Sequence, residues 1–208
     1  VDFDRGFLGL AGIPEYGENY PYLNHTLKEV DEIVTTMQCI NSPVNTLKNQ
    51  ETTTVNLIRA IASYNPSIIH LATHGYGDSQ YPIDLSHLVL AKNVISDGCS
   101  LLSYRKIIGL DLNNVDLVVL SACSGSVGAK NRGESTKNLV GAFLLAGAKN
   151  VIASRHPVDD TDTKRIMTTF YSYLIKVKSP PEALSLAKKK CLDDGMAKYQ
   201  IAAWFLYE

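Results

Sequence analysis

The sequence predicts an α/β fold, a parallel sheet with helices on its faces, and three observations predict it. Short apolar runs rich in β-branched residues alternate along the chain with longer stretches of helical period. Two of these runs, S-I-I-H-L-A-T at 67–73 and L-V-V-L-S-A at 117–122, are almost continuously apolar, as a strand covered on both faces must be. The chain has 208 residues, 45% of them hydrophobic, enough to bury one sizeable core, so a single domain is the default.

The elements follow in order. The first apolar run, 7–10, is closed by Gly12 and Pro14. A helix is predicted over 22–37, where Leu23, Leu27, Val30, Ile33, Val34 and Met37 form a stripe that needs a sheet to lie on. Residues 44–47 make a second strand. Residues 52–63 make a second helix with Val55, Ile58 and Ala62 on one side, Leu57 and Ile61 widening the stripe, and Pro66 ending it. The strand at 67–73 stops at His74-Gly75, and its apolar continuity makes it central. Residues 76–114 read as an insertion with a small hairpin: a loop rich in Gly, Asp and Ser, a short run at 88–91, then 101–108, which starts as a strand and ends as a short helix. The strand at 117–122 runs straight into Cys123. A helix at 135–146 is ended by Gly147, and a buried strand at 151–154 gives way to a polar turn at 155–160. Two helices, 166–177 and 181–192, meet around Ser179-Pro180, with Pro181 suited to a first turn. Residues 201–207 suit an edge strand. No internal repeat of solenoid period is visible.

Charge excludes some functions. With 20 basic and 21 acidic residues, the chain carries no cationic excess to neutralise nucleic-acid phosphates or anionic lipid headgroups. No apolar run approaches the roughly 20 residues that cross a bilayer, and V-D-F-D-R is not the start of a signal peptide. Cys39, Cys99, Cys123 and Cys191 show no C-x-x-C spacing, in a chain large enough to need no staples. They are expected to be thiols in a reducing, cytoplasmic setting.

The chemistry sits at two strand ends. In open α/β sheets, reactive groups collect beyond the carboxyl ends of the strands. His74 directly follows one buried strand and Cys123 another, so neighbouring strands would face imidazole and thiol across one loop gap. A free thiol has a pKa of about 8.5 and an imidazole about 6.5, so the second can deprotonate the first or hold its thiolate. The pair suffices as nucleophile and base, with no metal or cofactor. Gly75 lacks a side chain, so its N–H can approach a developing oxyanion together with the N–H of Cys123, each such donor lowering the barrier by roughly 3 to 4 kcal/mol.

The stretches H-L-A-T-H-G (70–75), D-L-V-V-L-S-A-C-S-G (116–125), Gly133-Glu134, N-L-V-G-A-F-L-L-A-G-A-K-N-V-I-A-S (138–154) and P-V-D-D (157–160) closely resemble the CHAT family. That family comprises caspase-like peptidases related to separases, metacaspases and caspases, usually attached to tetratricopeptide repeats. The resemblance runs from about residue 8 to the end, with several motifs agreeing in order and spacing. It implies a three-layer α/β/α caspase-like sandwich with a six-stranded, mainly parallel sheet. It also implies that 1–208 is a single peptidase domain, excised from a longer protein with N-terminal helical repeats. The implied activity is cysteine endopeptidase cleavage of a specific protein partner, in bacterial defence or regulated cell death, gated by a partner or repeat domain. On this resemblance His74 matches the catalytic His and Cys123 the nucleophile. Asp159 and Asp160, after the strand at 151–154, match part of the pocket for the side chain preceding the scissile bond, and Glu134 also matches. The family's usual Leu-Trp is Arg155-His156 here, and Arg155 could neutralise an acidic pocket. The family's terminal W-A-A-F pattern is rearranged to Ala203-Trp204-Phe205.

Plainer readings stand beside these. A cysteine at a strand end is commonly a small buried hydrophobe, and His74 alone would be a loop histidine. His70 and His74 form H-x-x-x-H, but without the Glu of H-E-x-x-H, and on a strand, so His70 reads as a paired core histidine rather than a zinc ligand. Asp159 and Asp160 precede a helix and suit capping as well as a pocket, and Glu134 suits a first helical turn. S-G-S-V-G-A-K at 124–130 does not satisfy a phosphate loop, which disfavours a nucleotide switch. Cys39, Cys99 and Cys191 read as structural, and 188–190 as a solvated helix face. The rival function is a catalytically silent caspase-like scaffold. As an enzyme, the isolated domain is expected to be weakly active until a partner orders the loops at 76–93 and 124–133.

Overall fold

The structure, a computed structural model, describes residues 1–12, 23–76, 78, 81–91, 100–121 and 135–208. In chain order the first half holds β1 (Phe7–Ala11), α1 (Thr26–Gln38), β2 (Val44–Lys48), α2 (Thr54–Tyr64) and β3 (Ile68–Ala72). An insertion then supplies β4 (Gly75–Tyr76), α3 (Pro82–Leu85), β5 (His87–Leu90), β6 (Ser100–Ser103) and α4 (Tyr104–Ile107). The remainder is β7 (Leu117–Leu120), α5 (Ser135–Leu145), β8 (Val151–Ser154), α6 (Asp160–Val177), α7 (Pro180–Asp193), α8 (Lys198–Ala202) and β9 (Trp204–Tyr207).

Six strands form the main sheet in the order β2-β1-β3-β7-β8-β9. The first five are parallel and β9 is antiparallel to β8. The two runs predicted to be covered on both faces, now β3 and β7, lie at the centre and are buried throughout. Successive side chains point to opposite faces, which builds two cores. On one face Phe7, Ile68, Leu117, Val119 and Ile152 pack against Ile33 and Met37 of α1 and Ile166, Phe170 and Leu174 of α6. On the other, Leu8, Leu10, Ile69, Leu71, Val118 and Leu120 pack against Leu57 and Ile61 of α2 and Leu139 and Phe143 of α5. The sandwich is therefore three-layered, with the predicted six-stranded, mainly parallel sheet. Strands β4, β5 and β6 form a separate antiparallel sheet, the predicted hairpin with one further short strand.

Four elements differ from expectation. Helix α1 begins at Thr26 rather than 22, because the backbone N–H of His25 is held by the Asp160 carboxylate at 2.9 Å. In α2 the buried side is Leu57, Ala60 and Ile61, while Val55 and Ile58 are 40% and 43% exposed. Two overlapping apolar stripes have the same period, so periodicity alone cannot choose between them. Helix α6 starts at Asp160, well before the apolar run at 166 but where the capping reading of Asp159 puts it: the Asp159 side chain accepts from the N–H groups of Thr161 and Asp162. The segment 201–207 is divided: Ile201 is buried in α8, and the edge strand starts only at Trp204.

Candidate active site

The centre of the sheet fixes where functional groups gather. β3 and β7 are hydrogen-bonded neighbours whose register pairs Ile68 with Leu117 and Leu71 with Leu120. Both chains run in the same direction, so both leave the sheet at the same rim. His74 lies three residues beyond Leu71, and Cys123 the same number beyond Leu120. Cys123 and Glu134 lie outside the described residues, as does Cys99.

His74 is 3% exposed, enclosed by the insertion that follows it. Its carbonyl accepts from the N–H of Val89 at 2.9 Å, and the preceding Thr73 hydroxyl donates to the Val89 carbonyl at 2.5 Å. These bonds tie the end of β3 to β5. They also orient Gly75. In an antiparallel ladder, a bond from residue j+1 to residue i−1 brackets a wide, non-hydrogen-bonded pair i and j. Gly75 and Leu88 are that pair, so the Gly75 N–H points away from β5. Next along β4, the Tyr76 ring stacks on His87 at 5.3 Å. Burial lowers the His87 pKa, opposed by the bond from its Nδ1 to the Leu85 carbonyl, so His87 favours the neutral ring.

Beneath the rim, on the face of α1 and α6, lies a buried polar cluster. Glu29 of α1 is 1% exposed and His70 of β3 fully buried. Glu29 Oε1 meets His70 Nε2 at 2.9 Å and accepts from the Ser121 hydroxyl at 2.5 Å. The Tyr171 hydroxyl meets His70 Nδ1 at 3.2 Å. Burial and the Glu29 charge push the Tyr171 phenol well above its ordinary pKa, so it stays neutral. His70 is thus engaged at both nitrogens, as a core histidine rather than a ligand. Among the described residues no group of three or more His, Cys, Asp or Glu side chains is arranged to hold a metal ion.

Glu29 was missed in the sequence, although a signal existed. Thr26, Glu29, Val30, Ile33 and Met37 are the buried positions of α1, and a carboxylate on that stripe had to have a buried partner.

Of the four expected pocket residues Glu134 lies outside the described residues, and the other three, at the loop after β8, behave differently. Arg155 turns to the sheet edge, with its guanidinium 3.5 Å from the Phe205 ring centroid and Nε donating to the Tyr207 hydroxyl. Among the described residues it forms no ion pair with Asp159 or Asp160. Asp159 is exposed and caps α6. Asp160 is half-buried and latches the head of α1 through His25. Burial raises its pKa; the His25 N–H opposes this, and the Glu29 and Asp159 charges add to it. His156, in the position of the family's Trp, stacks on Tyr199 at 4.0 Å. Of the remaining thiols, Cys191 is buried as expected but Cys39 is exposed, so Cys39 does not pack in the core.

A six-stranded, mainly parallel sheet of this order, with helices on both faces, is the caspase-like fold. The chain belongs to the CHAT family, whose domain profile matches residues 15–207. Solved structures agree in fold. The Arg-specific cysteine proteinase gingipain R superposes with a TM-score of 0.60 at 13% identity, over 98% of this chain and 46% of that one. The complex of the pro- and mature domains of the same proteinase from Porphyromonas gingivalis gives 0.60 at 13% identity, over 98% and 47%. The Saccharomyces cerevisiae separase–securin complex gives 0.59 at 14% identity, over 99% of this chain and 12% of that one. The chain therefore spans about half the length of the proteinase and an eighth of the separase chain. No curated protein matches it by sequence. Among the described residues no helix is long and apolar enough to cross a membrane.

Proposed function

We propose that this domain is a cysteine endopeptidase that cleaves a specific protein partner, with Cys123 as nucleophile and His74 as general base. The observation that carries the reading is the register of β3 and β7, two neighbouring parallel strands that end at one rim, with His74 three residues beyond Leu71 and Cys123 three residues beyond Leu120 in the sequence. In the reaction His74 takes the proton from Cys123 Sγ, and the thiolate adds to the scissile carbonyl carbon. The oxyanion accepts from the N–H groups of Cys123 and Gly75, the latter supported by its orientation away from β5. The His74 imidazolium then protonates the leaving amine as the C–N bond breaks. A water deprotonated by His74 hydrolyses the thioester, releasing the carboxylate product and restoring the thiol.

Substrate side chains next to the scissile bond would meet the loop after β8. Asp159 is its exposed carboxylate, so a basic preference, if the pocket is acidic, rests on Asp159 before Asp160. The separase neighbour is held in a complex with securin, which supports control of this domain too by a protein partner or a flanking repeat domain.

The test is site-resolved labelling with an irreversible thiol-directed peptide electrophile, run beside cleavage of a candidate partner encoded next to the gene. Selective modification of Cys123, suppressed in His74→Ala, is expected, together with complete loss of cleavage in Cys123→Ala. Cleavage surviving in Cys123→Ala would refute the assignment. Indifferent labelling of all four thiols would favour the scaffold.

A further inference from the structure

The peptidase mechanism leaves one buried cluster unused, and its geometry is directed at both halves of the dyad. A carboxylate oxygen only accepts, so at Glu29 Oε1 the donors are the Ser121 hydroxyl and the His70 Nε2–H, while His70 Nδ1 meets the Tyr171 hydroxyl. Ser121 is joined to Cys123 through one residue, and His70 is four residues before His74 on the adjacent strand. One oxygen on α1 therefore straps together the two chain segments that deliver the thiol and the imidazole.

We propose that Glu29 is a positioning residue for the dyad, holding the nucleophile segment through Ser121 against the base segment through His70. The proposal rests on the reading of Cys123 and His74 given above. Glu29 reaches the strands because of Gly9. Gly9 pairs with His70 in the register of β1 and β3, and a Cβ there would lie 3.0 Å from Val30 Cγ1, so the missing side chain lets α1 settle close to the sheet. Around the carboxylate stand His70 from β3, Ser121 from the end of β7, and Tyr171 and Asp160 from α6. Ser121 is the only direct tie from this cluster to the segment carrying the nucleophile among the described residues. Reaction rates are sensitive to such ties: a misplacement of about 1 Å at reacting atoms can cost 100-fold.

The experiment uses Ser121→Ala, which removes that tie and leaves the Glu29, His70 and Tyr171 contacts in place. The rate of iodoacetamide modification at Cys123, read by peptide mass spectrometry, is followed against pH in wild type, Ser121→Ala, Glu29→Gln and Ser42→Ala. Ser42 donates its hydroxyl to the Phe3 carbonyl at the opposite end of the sheet, so its variant reports on loss of a structural bond alone. The amide oxygen of Gln can still accept from Ser121. Expected is a fall of roughly tenfold at pH 7 in Ser121→Ala, with the inflection moving toward that of an ordinary thiol. Glu29→Gln should keep the larger part of the wild-type rate, and Ser42→Ala should keep the wild-type profile. A wild-type profile in folded Ser121→Ala overturns the positioning role while leaving the dyad intact. A Cys123 that follows exposed Cys39 in wild type and ignores His74→Ala overturns the dyad, and the strap with it.

Discussion

Asp160→Ala removes the carboxylate that accepts the His25 N–H at the head of α1, and Asp160→Asn keeps an oxygen in the same place. A hydrogen bond to a charged acceptor contributes about 1.5–3 kcal/mol, but this carboxylate is half-buried and its charge is penalised. Burial and the neighbouring Glu29 and Asp159 charges raise its pKa. The net loss in the Ala variant should be about 1 kcal/mol, or about 2–4 °C in melting midpoint for a chain of this size. The Asn variant should match wild type or exceed it slightly at pH 7, because it accepts the bond without burying a charge. The sign with pH follows. A carboxyl whose folded pKa is raised binds its proton more readily in the native state. Wild type therefore gains on Asp160→Asn as pH falls from neutrality toward the unfolded value near 4. Thermal unfolding of the three proteins at pH 7 and pH 5, with peptide-library cleavage alongside, reads both effects. Loss in Asp160→Asn equal to that in Asp160→Ala would refute the latch. A basic preference abolished by Asp160→Asn would place the residue in the substrate pocket instead.

Two further outcomes test the packing that supports the site. Gly9→Ala would bring a methyl group to 2.8 Å from Phe7 Cε1 and 3.0 Å from Val30 Cγ1. It should cost about 1–3 kcal/mol in denaturant unfolding, and an unchanged midpoint would mean that α1 has slack over β1. At the other end of the sheet Asp116 accepts from Lys149 at 2.7 Å, from Arg5 Nη2 at 3.0 Å and from the Asp2 N–H at 2.9 Å. Burial raises its pKa, but Lys149, the Asp2 N–H and Arg5 outweigh it and hold the carboxyl low. Its contribution is present above the unfolded pKa of about 4 and lost as pH falls through the lower folded value. Asp116→Asn should thus cost about 1–2 kcal/mol at pH 7, given partly exposed partners, and much less near pH 3; equal losses at both pH values would contradict the assignment.

What the sequence disclosed depended on how local the physics was. β3 and β7 were legible because a strand buried on both faces leaves an uninterrupted apolar run, and the run of β3 stops at His74, which the structure buries. The same reasoning failed for α2. Val55, Ile58 and Ala62 have helical spacing as good as that of Leu57 and Ile61, and only the sheet decides which stripe is covered. Asp160 was ambiguous for a related reason. Its partner His25 is 135 residues away, so nothing near it in the chain distinguishes a latch from a cap or a pocket. Glu29 was hidden by chemistry, since glutamate on a helix is ordinarily a solvated residue and its partners come from β3, the end of β7 and α6.

A carboxylate at position 29 is a poor choice if stability alone is at stake. Leucine there would extend the stripe of Val30, Ile33 and Met37 with no charge to desolvate. Burying a carboxylate costs several kcal/mol before its partners offset it, and apolar replacement of such groups is often neutral or stabilising. What the carboxylate supplies is direction. Apolar packing tolerates sliding of one strand end against another by fractions of an ångström, whereas an oxygen that must meet Ser121 and His70 together accepts one arrangement. The register of β3 and β7 sets the two strand ends to within a residue. On the positioning role proposed for Glu29, its hydrogen bonds narrow that placement further, and a misplacement of about 1 Å at reacting atoms can cost 100-fold.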